Sequence, residues 1–250
     1  LYLFLVCLFA LQGEHDTQTA EHRRKQKPNY KKIKCRCMEI LVMQTTAPFD
    51  VILFDLGGVL IELAGIERML ELCNHSLSAE ELWTRWLTSE GVRQFETGRS
   101  GPDAFGAAML EEFGISIAAA QFLEEFTVWP KGVFPGSLEL LEQLSIAYRL
   151  ACLSNTNALH WPRICDEMGL ARYFECTFAS HLVGMLKPDV EIFQHVIDQI
   201  GCPPARILFL DDNQLNVASA RAAGMIARRV AGLAEVRAAL TELGVLPAAA

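Results

Sequence analysis

Residues 51–60 read VILFDLGGVL, and residues 208–213 read LFLDDN. Each is a short apolar run closed by aspartate, Asp55 in the first and the Asp211-Asp212 pair in the second. A third run, RLACL at 149–153, closes on Ser154. None alternates apolar with polar residues, the pattern of strands buried on both faces in a parallel sheet. Amphipathic stretches lie between them. Residues 137–146 (SLELLEQLSI) form one, residues 189–200 run from Pro188 to Gly201, and residues 213–223 are Ala-rich and stop at Gly224. Pro before and Gly after an apolar-periodic stretch are helix start and stop signals. Alternating strands and helices predict an α/β fold with a doubly wound parallel sheet.

Outward from the first run the strand signal disappears between Leu63 and Gly132. Ser78 and Glu81 form a capping box opening a helix that carries Leu82, Trp83, Trp86 and Leu87. Ser100 or Asp103 can start a second helix ending near Gly114, and Ser116 a third. This predicts an all-helical insert at 63–132 within a core made of 47–62 and 133–250, with Trp83 and Trp86 in the insert's interior. Residues 1–12 (LYLFLVCLFALQ) are apolar but shorter than the roughly 20 residues that span a bilayer. The basic, aperiodic stretch that follows contrasts with the body. Residues 1–46 hold eight Lys/Arg against four Asp/Glu in a chain of net charge −8. We expect 1–46 to be an extension outside the fold, with Met38 or Met43 as the natural start.

The chain has 250 residues, 51% of them hydrophobic, which is enough for a sizeable core. The acidic body has no basic stripe of the kind that nucleic-acid binders carry. Of the eight cysteines, only Cys35 and Cys37 sit near metal-ligand spacing, without accompanying histidines. Reduced core thiols in a cytoplasmic protein are the expectation, with no stable membrane association.

Ligands of open α/β sheets bind at the carboxyl ends of the strands, so Asp55, Ser154 and Asp211/Asp212 should converge at one rim. Lys187, in the loop GMLKP (184–188), can bring an ammonium there. Crowded carboxylates call for a hard dication with oxygen ligands, for which magnesium is suited. A carboxylate beside it can attack phosphorus while the ion and the lysine offset the charge on the transferring group. Ser154 can donate to a phosphate oxygen, and the backbone amides near Leu56 and Gly57 can add to it. A small phosphorylated metabolite is the matching partner.

The stretches VILFDLGGVL (51–60), CLSNTN (152–157), GMLKPDVEIF (184–193) and LFLDDNQLNVASARAAGM (208–225) closely resemble the four motifs of the haloacid dehalogenase-like hydrolase superfamily. The resemblance covers residues 49–243, and its wording is most similar to the bacterial α-D-glucose-1-phosphate phosphatase branch. It implies a Rossmann-like core with a helical cap. It also implies Asp55 as a nucleophile forming an aspartyl-phosphate, and Ser154, Asn155 and Lys187 holding the phosphoryl group with the Leu56 and Gly57 main chain. Magnesium would be held by Asp55, Asp211, Asp212 and the Gly57 carbonyl, with Asn155 and Asn216 supporting the site.

One position departs from the pattern. Many phosphatases of the superfamily carry a general acid–base aspartate where this chain has Gly57. An acid is worth about 10²–10⁴ in rate, so either the leaving group is a good one, as in glucose 1-phosphate, or another side chain supplies the proton. Glu62, Glu96 and His160 are the candidates, and Phe95, Glu96 and Trp129 are candidates to face the substrate. The competing functions are a metal-free 2-haloacid dehalogenase and a phosphate-binding protein without turnover. Oligomeric state is left open.

Overall fold

The computed structural model describes residues 47–247. The expectations for residues 1–46, including those for Cys35 and Cys37, lie outside them. Five parallel strands build the main sheet: β1 (Val51–Phe54), β4 (Arg149–Ser154), β5 (Cys176–Ala179), β6 (Ile207–Asp211) and β7 (Ile226–Arg229), in the order β5-β4-β1-β6-β7. Strand β1 is central, with Phe54 level with Cys152 on one side and Leu210 on the other.

Because strand side chains alternate between faces, each inner strand feeds two cores. Ile52, Phe54, Leu150, Cys152, Leu208 and Leu210 pack under α6 (Ser137–Ser145) and α11 (Gly232–Glu242). Val51, Leu53, Ala151, Leu153, Ile207 and Phe209 pack under α9 (Val190–Ile200) and α10 (Gln214–Ala222). The apolar, non-alternating runs are therefore those of a sheet covered on both sides, as expected. Edge strands β5 and β7 were not legible in the sequence. β7 reads IARR, with only Ala227 buried.

Between β1 and α6 stands the helical insert. A short antiparallel ribbon of β2 (Ile61–Leu63) and β3 (Pro130–Val133) forms its base. Above it lie α1 (Gly65–Leu72), α2 (Ala79–Thr88), α3 (Glu90–Glu96), α4 (Pro102–Phe113) and α5 (Ala119–Thr127). These helices share a core of their own, including Met69, Leu82, Phe95, Phe105, Met109, Phe122 and Phe126. The ribbon was not expected: three or four residues containing Pro130 make a weak strand signal, and Pro is confined to edge positions such as this one.

Local signals are partly realised. The Ser78–Glu81 capping box forms in full at the start of α2. The next two starts differ from expectation. Gly101 and Ala118, not Ser100, Asp103 or Ser116, precede α4 and α5, because Pro102 at the first turn sets the start of α4 without a side-chain cap. Trp86 lies in the insert's aromatic cluster, against Phe105, Phe113, Phe126 and Trp129. Trp83 is on the surface, 44% exposed, and does not belong to that interior. Among the described residues, no helix is long and apolar enough to cross a membrane. Cys73, Cys152, Cys165 and Cys202 are free thiols.

Candidate active site at the sheet rim

The parallel register brings the strand ends together. Asp55 follows β1, and its main-chain N–H donates to the Leu210 carbonyl at 2.8 Å, which sets it beside Asp211 at the end of β6. The Lys187 ammonium bridges the two aspartates. Nζ lies 2.9 Å from Asp55 Oδ1 and 2.6 Å from Asp211 Oδ2, with all three groups buried. A buried charge is tolerable only when paired and hydrogen-bonded, so this ion triad fixes the geometry of the rim. Asp211 is held from behind as well. Asn216 Nδ2, from the first turns of α10, donates to both its oxygens at 3.0 and 3.1 Å, and the Asn213 N–H donates at 2.8 Å.

The loop that delivers Lys187 is tied to the end of β4. Asn155 Nδ2 donates to the Lys187 carbonyl at 2.9 Å, and the Lys187 N–H donates back to Asn155 Oδ1 at 3.0 Å. Asn155 thus reaches the rim by locking the lysine's main chain. Ser154 is buried, and among the described residues its hydroxyl makes only a long 3.4 Å contact with the Asn155 carbonyl, too long to satisfy it. Asn157, three residues on, accepts from the N–H groups of Leu159 and His160 at 3.1 Å.

The turn after β1 explains both glycines. Gly58 has φ +71°, and a Cβ there would stand 2.3 Å from Asp212 Oδ2, so only glycine lets Asp212 approach. A Cβ on Gly57 would meet Leu63 Cδ1 at 2.8 Å. The place of an acidic side chain at position 57 is taken by a flexible apolar one, which the sequence did not reveal. The Leu56 carbonyl closes the turn by accepting from Val59, Leu60 and Ile61. The N–H groups of Leu56 and Gly57 make no backbone hydrogen bond among the described residues.

Asp55, Asp211 and Asp212 each offer a carboxylate oxygen, all within 4.8 Å of one another. Burial pushes Asp55 up to about 7; the Lys187 charge opposes this, while Asp211 and Asp212 add to it. Burial also raises Asp212, with Asp211 reinforcing it. Burial works against the Lys187 charge, yet the Asp211 and Asp55 carboxylates hold it above its ordinary value. Three carboxylates against one ammonium leave room for more positive charge, and an all-oxygen donor set suits a hard dication such as magnesium.

The three acid candidates separate clearly. Glu62 is exposed on β2. His160 is committed elsewhere: its Nε2 lies 2.7 Å from the Phe126 carbonyl, its Nδ1 lies 3.2 Å from Asn157 Nδ2, and its ring stacks on Phe126. A carbonyl needs a donor, so Nε2 carries the proton and Nδ1 accepts. Burial pushes this imidazole down to about 4. Glu96 ends α3 half-buried, and burial pushes it up to about 8, with Lys187 opposing and Asp55 adding. Of the candidates to face a substrate, Phe95 is instead stacked on Phe105 at 4.4 Å within the insert, and Trp129 packs edge-on against Phe126.

Residues 49–224 match the family model described as haloacid dehalogenase-like hydrolase. The chain is 30% identical to a sesquiterpene phosphatase of Aspergillus oryzae, over 71% of this chain and 88% of that protein. It is 28% identical to a phosphoglycolate phosphatase of Mesorhizobium japonicum, over 70% and 79%. A HAD family enzyme of Bacteroides thetaiotaomicron, solved with magnesium and inorganic phosphate, superposes with a TM-score of 0.61 at 29% identity, covering 72% of this chain and 93% of that one. An L-2-haloacid dehalogenase of Xanthobacter autotrophicus shares the fold, with a TM-score of 0.53 at 18% identity over 80% and 85%. A doubly wound sheet with acidic strand ends, joined to a family match over most of its length, makes this chain a member of the haloacid dehalogenase-like hydrolases.

Proposed function

We propose that this protein is a magnesium-dependent phosphatase of small phosphate monoesters that works through an aspartyl-phosphate on Asp55. The observation that carries the reading is the buried Lys187 bridging Asp55 and Asp211, with Asp212 beside them. A dehalogenase has no use for a paired acidic cluster, whereas phosphoryl transfer requires charge neutralisation around three phosphoryl oxygens. The named relatives point the same way, since two are phosphatases.

In this reading Asp55 attacks phosphorus and the ester oxygen leaves. Lys187 and the Ser154 hydroxyl hold phosphoryl oxygens, joined by the Leu56 and Gly57 amides and by Asn155, which also fixes the Lys187 main chain. Water then cleaves the acyl phosphate and regenerates Asp55. Asp55, Asp211, Asp212 and the Gly57 carbonyl would hold magnesium, which when bound supplies positive charge to offset that of the phosphoryl group. Asn216 keeps Asp211 in place. The insert, residues 63–132, acts as the cap over a core made of 47–62 and 133–250. A sugar phosphate such as glucose 1-phosphate belongs in the substrate panel because a good leaving group suits a site with Gly57. Phosphoglycolate belongs there on the strength of the Mesorhizobium relative. The free thiols accord with a cytoplasmic setting.

The test is phosphate release from p-nitrophenyl phosphate, glucose 1-phosphate and phosphoglycolate, with magnesium or with EDTA, for the wild type and Asp55→Asn. Magnesium-dependent release that disappears in the variant is the expected result. Folded protein that releases no phosphate from any of them, but chloride from 2-chloropropionate, would replace this reading with a dehalogenase. Phosphate bound without turnover would replace it with a binding protein.

A further inference from the structure

We propose, building on the phosphatase reading, that Glu96 of the helical insert is the general acid–base of the reaction, supplying from above the site what Gly57 cannot supply from within it. Four observations converge on it. Position 57 has no side chain, and Leu63 occupies the space beside it. His160 has both ring nitrogens engaged, and Glu62 is exposed. Burial raises the Glu96 carboxyl, with the Lys187 charge opposing and the Asp55 charge adding. This carboxyl accepts no hydrogen bond and joins no ion pair among the described residues. A half-buried carboxyl without a partner is costly as an anion, and burial pushes it up to about 8.

The helix that carries Glu96 is fixed against the core at this point. Arg93, one turn earlier on α3, forms an ion pair with Asp189, two residues after Lys187. Gly98, two residues after Glu96, has φ +70° and comes so near the core that a Cβ would stand 2.4 Å from the His181 carbonyl oxygen. Contacts before and after Glu96 therefore hold it toward the Lys187 loop.

The proton balance closes. Asp55 forms the new O–P bond as the ester O–P bond breaks, and the leaving oxygen takes the Glu96 proton to depart as the alcohol. Glu96, now a carboxylate, takes a proton from the water that attacks phosphorus. The Asp55–P bond breaks, phosphate leaves, and both carboxyl groups return to their starting states. Neither oxidant nor further reactant is needed.

The experiment compares wild type, Glu96→Gln and Glu96→Asp on two esters, p-nitrophenyl phosphate and phosphoglycolate, by rapid-mix and steady-state assays with magnesium present. p-Nitrophenolate leaves without a proton, so Glu96→Gln should keep the initial burst on that ester. Its steady turnover should fall, because the water step lacks its base. Phosphoglycolate, or β-glycerol phosphate if the wild type does not turn that over, should lose about 10²–10⁴-fold in its first step, and Glu96→Asp should recover part of it. Equal losses on both esters in the burst, or no loss on either, would overturn the assignment while leaving the phosphatase reading intact. If the wild type released no phosphate at all, both would fall together. Gln is nearly isosteric and removes no hydrogen bond. Circular dichroism and melting of the variant check the fold, and should it melt early, the burst-to-turnover ratio of Glu96→Asp decides the question.

Discussion

At the sheet rim every buried charge has a named partner: Lys187 holds Asp55 and Asp211, and Asn216 holds Asp211 from behind. In the helical insert the interior is aromatic, Phe95 on Phe105, Phe122 on Phe126, Trp86 among them, and Glu96, next to Phe95 in sequence, has no hydrogen bond or ion pair among the described residues. Pairing holds the aspartates and the lysine in place, while burial still raises Asp55 to about 7 against the pull of Lys187. Burial raises a carboxyl that has no partner, which is the direction an acid needs. The two regions thus treat the same functional group differently: one ties its carboxylates to a lysine, the other leaves a carboxyl without a hydrogen bond or ion pair among the described residues.

The largest effect should come from cutting the rim's pairing. Lys187→Met removes the bridge and leaves Asp55 facing Asp211 without a cation. We expect kcat to fall by about 10²–10³ or more, and the fold to lose about 3–5 kcal/mol, because two buried carboxylates then lack a counter-charge. Denaturant melts with and without magnesium measure the second effect. An unchanged midpoint would mean that the rim is not held by charge.

The insert should break differently. Phe126→Ala removes a ring that touches Phe95, Phe105, Phe122, Trp86, Trp129 and His160. A loss of about 3–5 kcal/mol follows for a large aromatic in a packed core. Proteolysis should cut residues 63–132 well before the sheet. Simultaneous loss of both parts would show that the insert has no separate stability.

That contrast also governs what could be read in advance. Strands β1, β4 and β6 are buried on both faces, so their apolar runs and their polar ends, Asp55, Ser154 and Asp211, are visible in one dimension. β5 and β7 pair on one side only, and the outward residues Ile226, Arg228 and Arg229 of β7 dilute the signal. The β2–β3 ribbon joins residues some 70 positions apart and is set by pairing, not by composition. Glu96 was one of three equivalent candidates because nothing local distinguishes it. What separates it from His160 is which of them finds partners, and the partners of His160 are the carbonyl of Phe126 and the amide of Asn157. Leu63 gave no signal at all, since its importance lies in the side chain that Gly57 lacks.

His160 sharpens the comparison from the side of acid. In the folded protein it titrates near 4, against an ordinary value of 6.5. Between those values the unfolded chain takes up a proton that the native state refuses. Stability present above pH 6.5 is therefore lost as pH falls toward 4. The buried carboxyls Asp55 and Glu96, raised in the fold, act in the opposite sense, so the histidine's share must be read as a difference. Melting curves of wild type and His160→Gln from pH 7 to pH 4 should converge by about 1–3 kcal/mol as the wild type loses its advantage. Parallel curves would mean that the imidazole is not buried between Phe126 and Asn157.

The smallest effect should come from the contact that joins the two regions. Arg93 and Asp189 are both substantially exposed, so their ion pair contributes about 0–1 kcal/mol to the fold and is screened by salt. Its position matters more than its strength, because it ties α3, and with it Glu96, to the loop of Lys187. Arg93→Ala should leave the melting temperature almost unchanged and leave the p-nitrophenyl phosphate burst intact. Turnover of an alkyl phosphate should still fall by about 3–10-fold, as expected when an acid is held less often at its working distance. High salt should mimic the substitution in the wild type and have little further effect on the variant. If Arg93→Ala instead raised KM equally for every ester and left kcat alone, the ion pair would serve entry to the site and not the placement of the acid. The insert would then be a cover whose chemistry does not depend on where it rests.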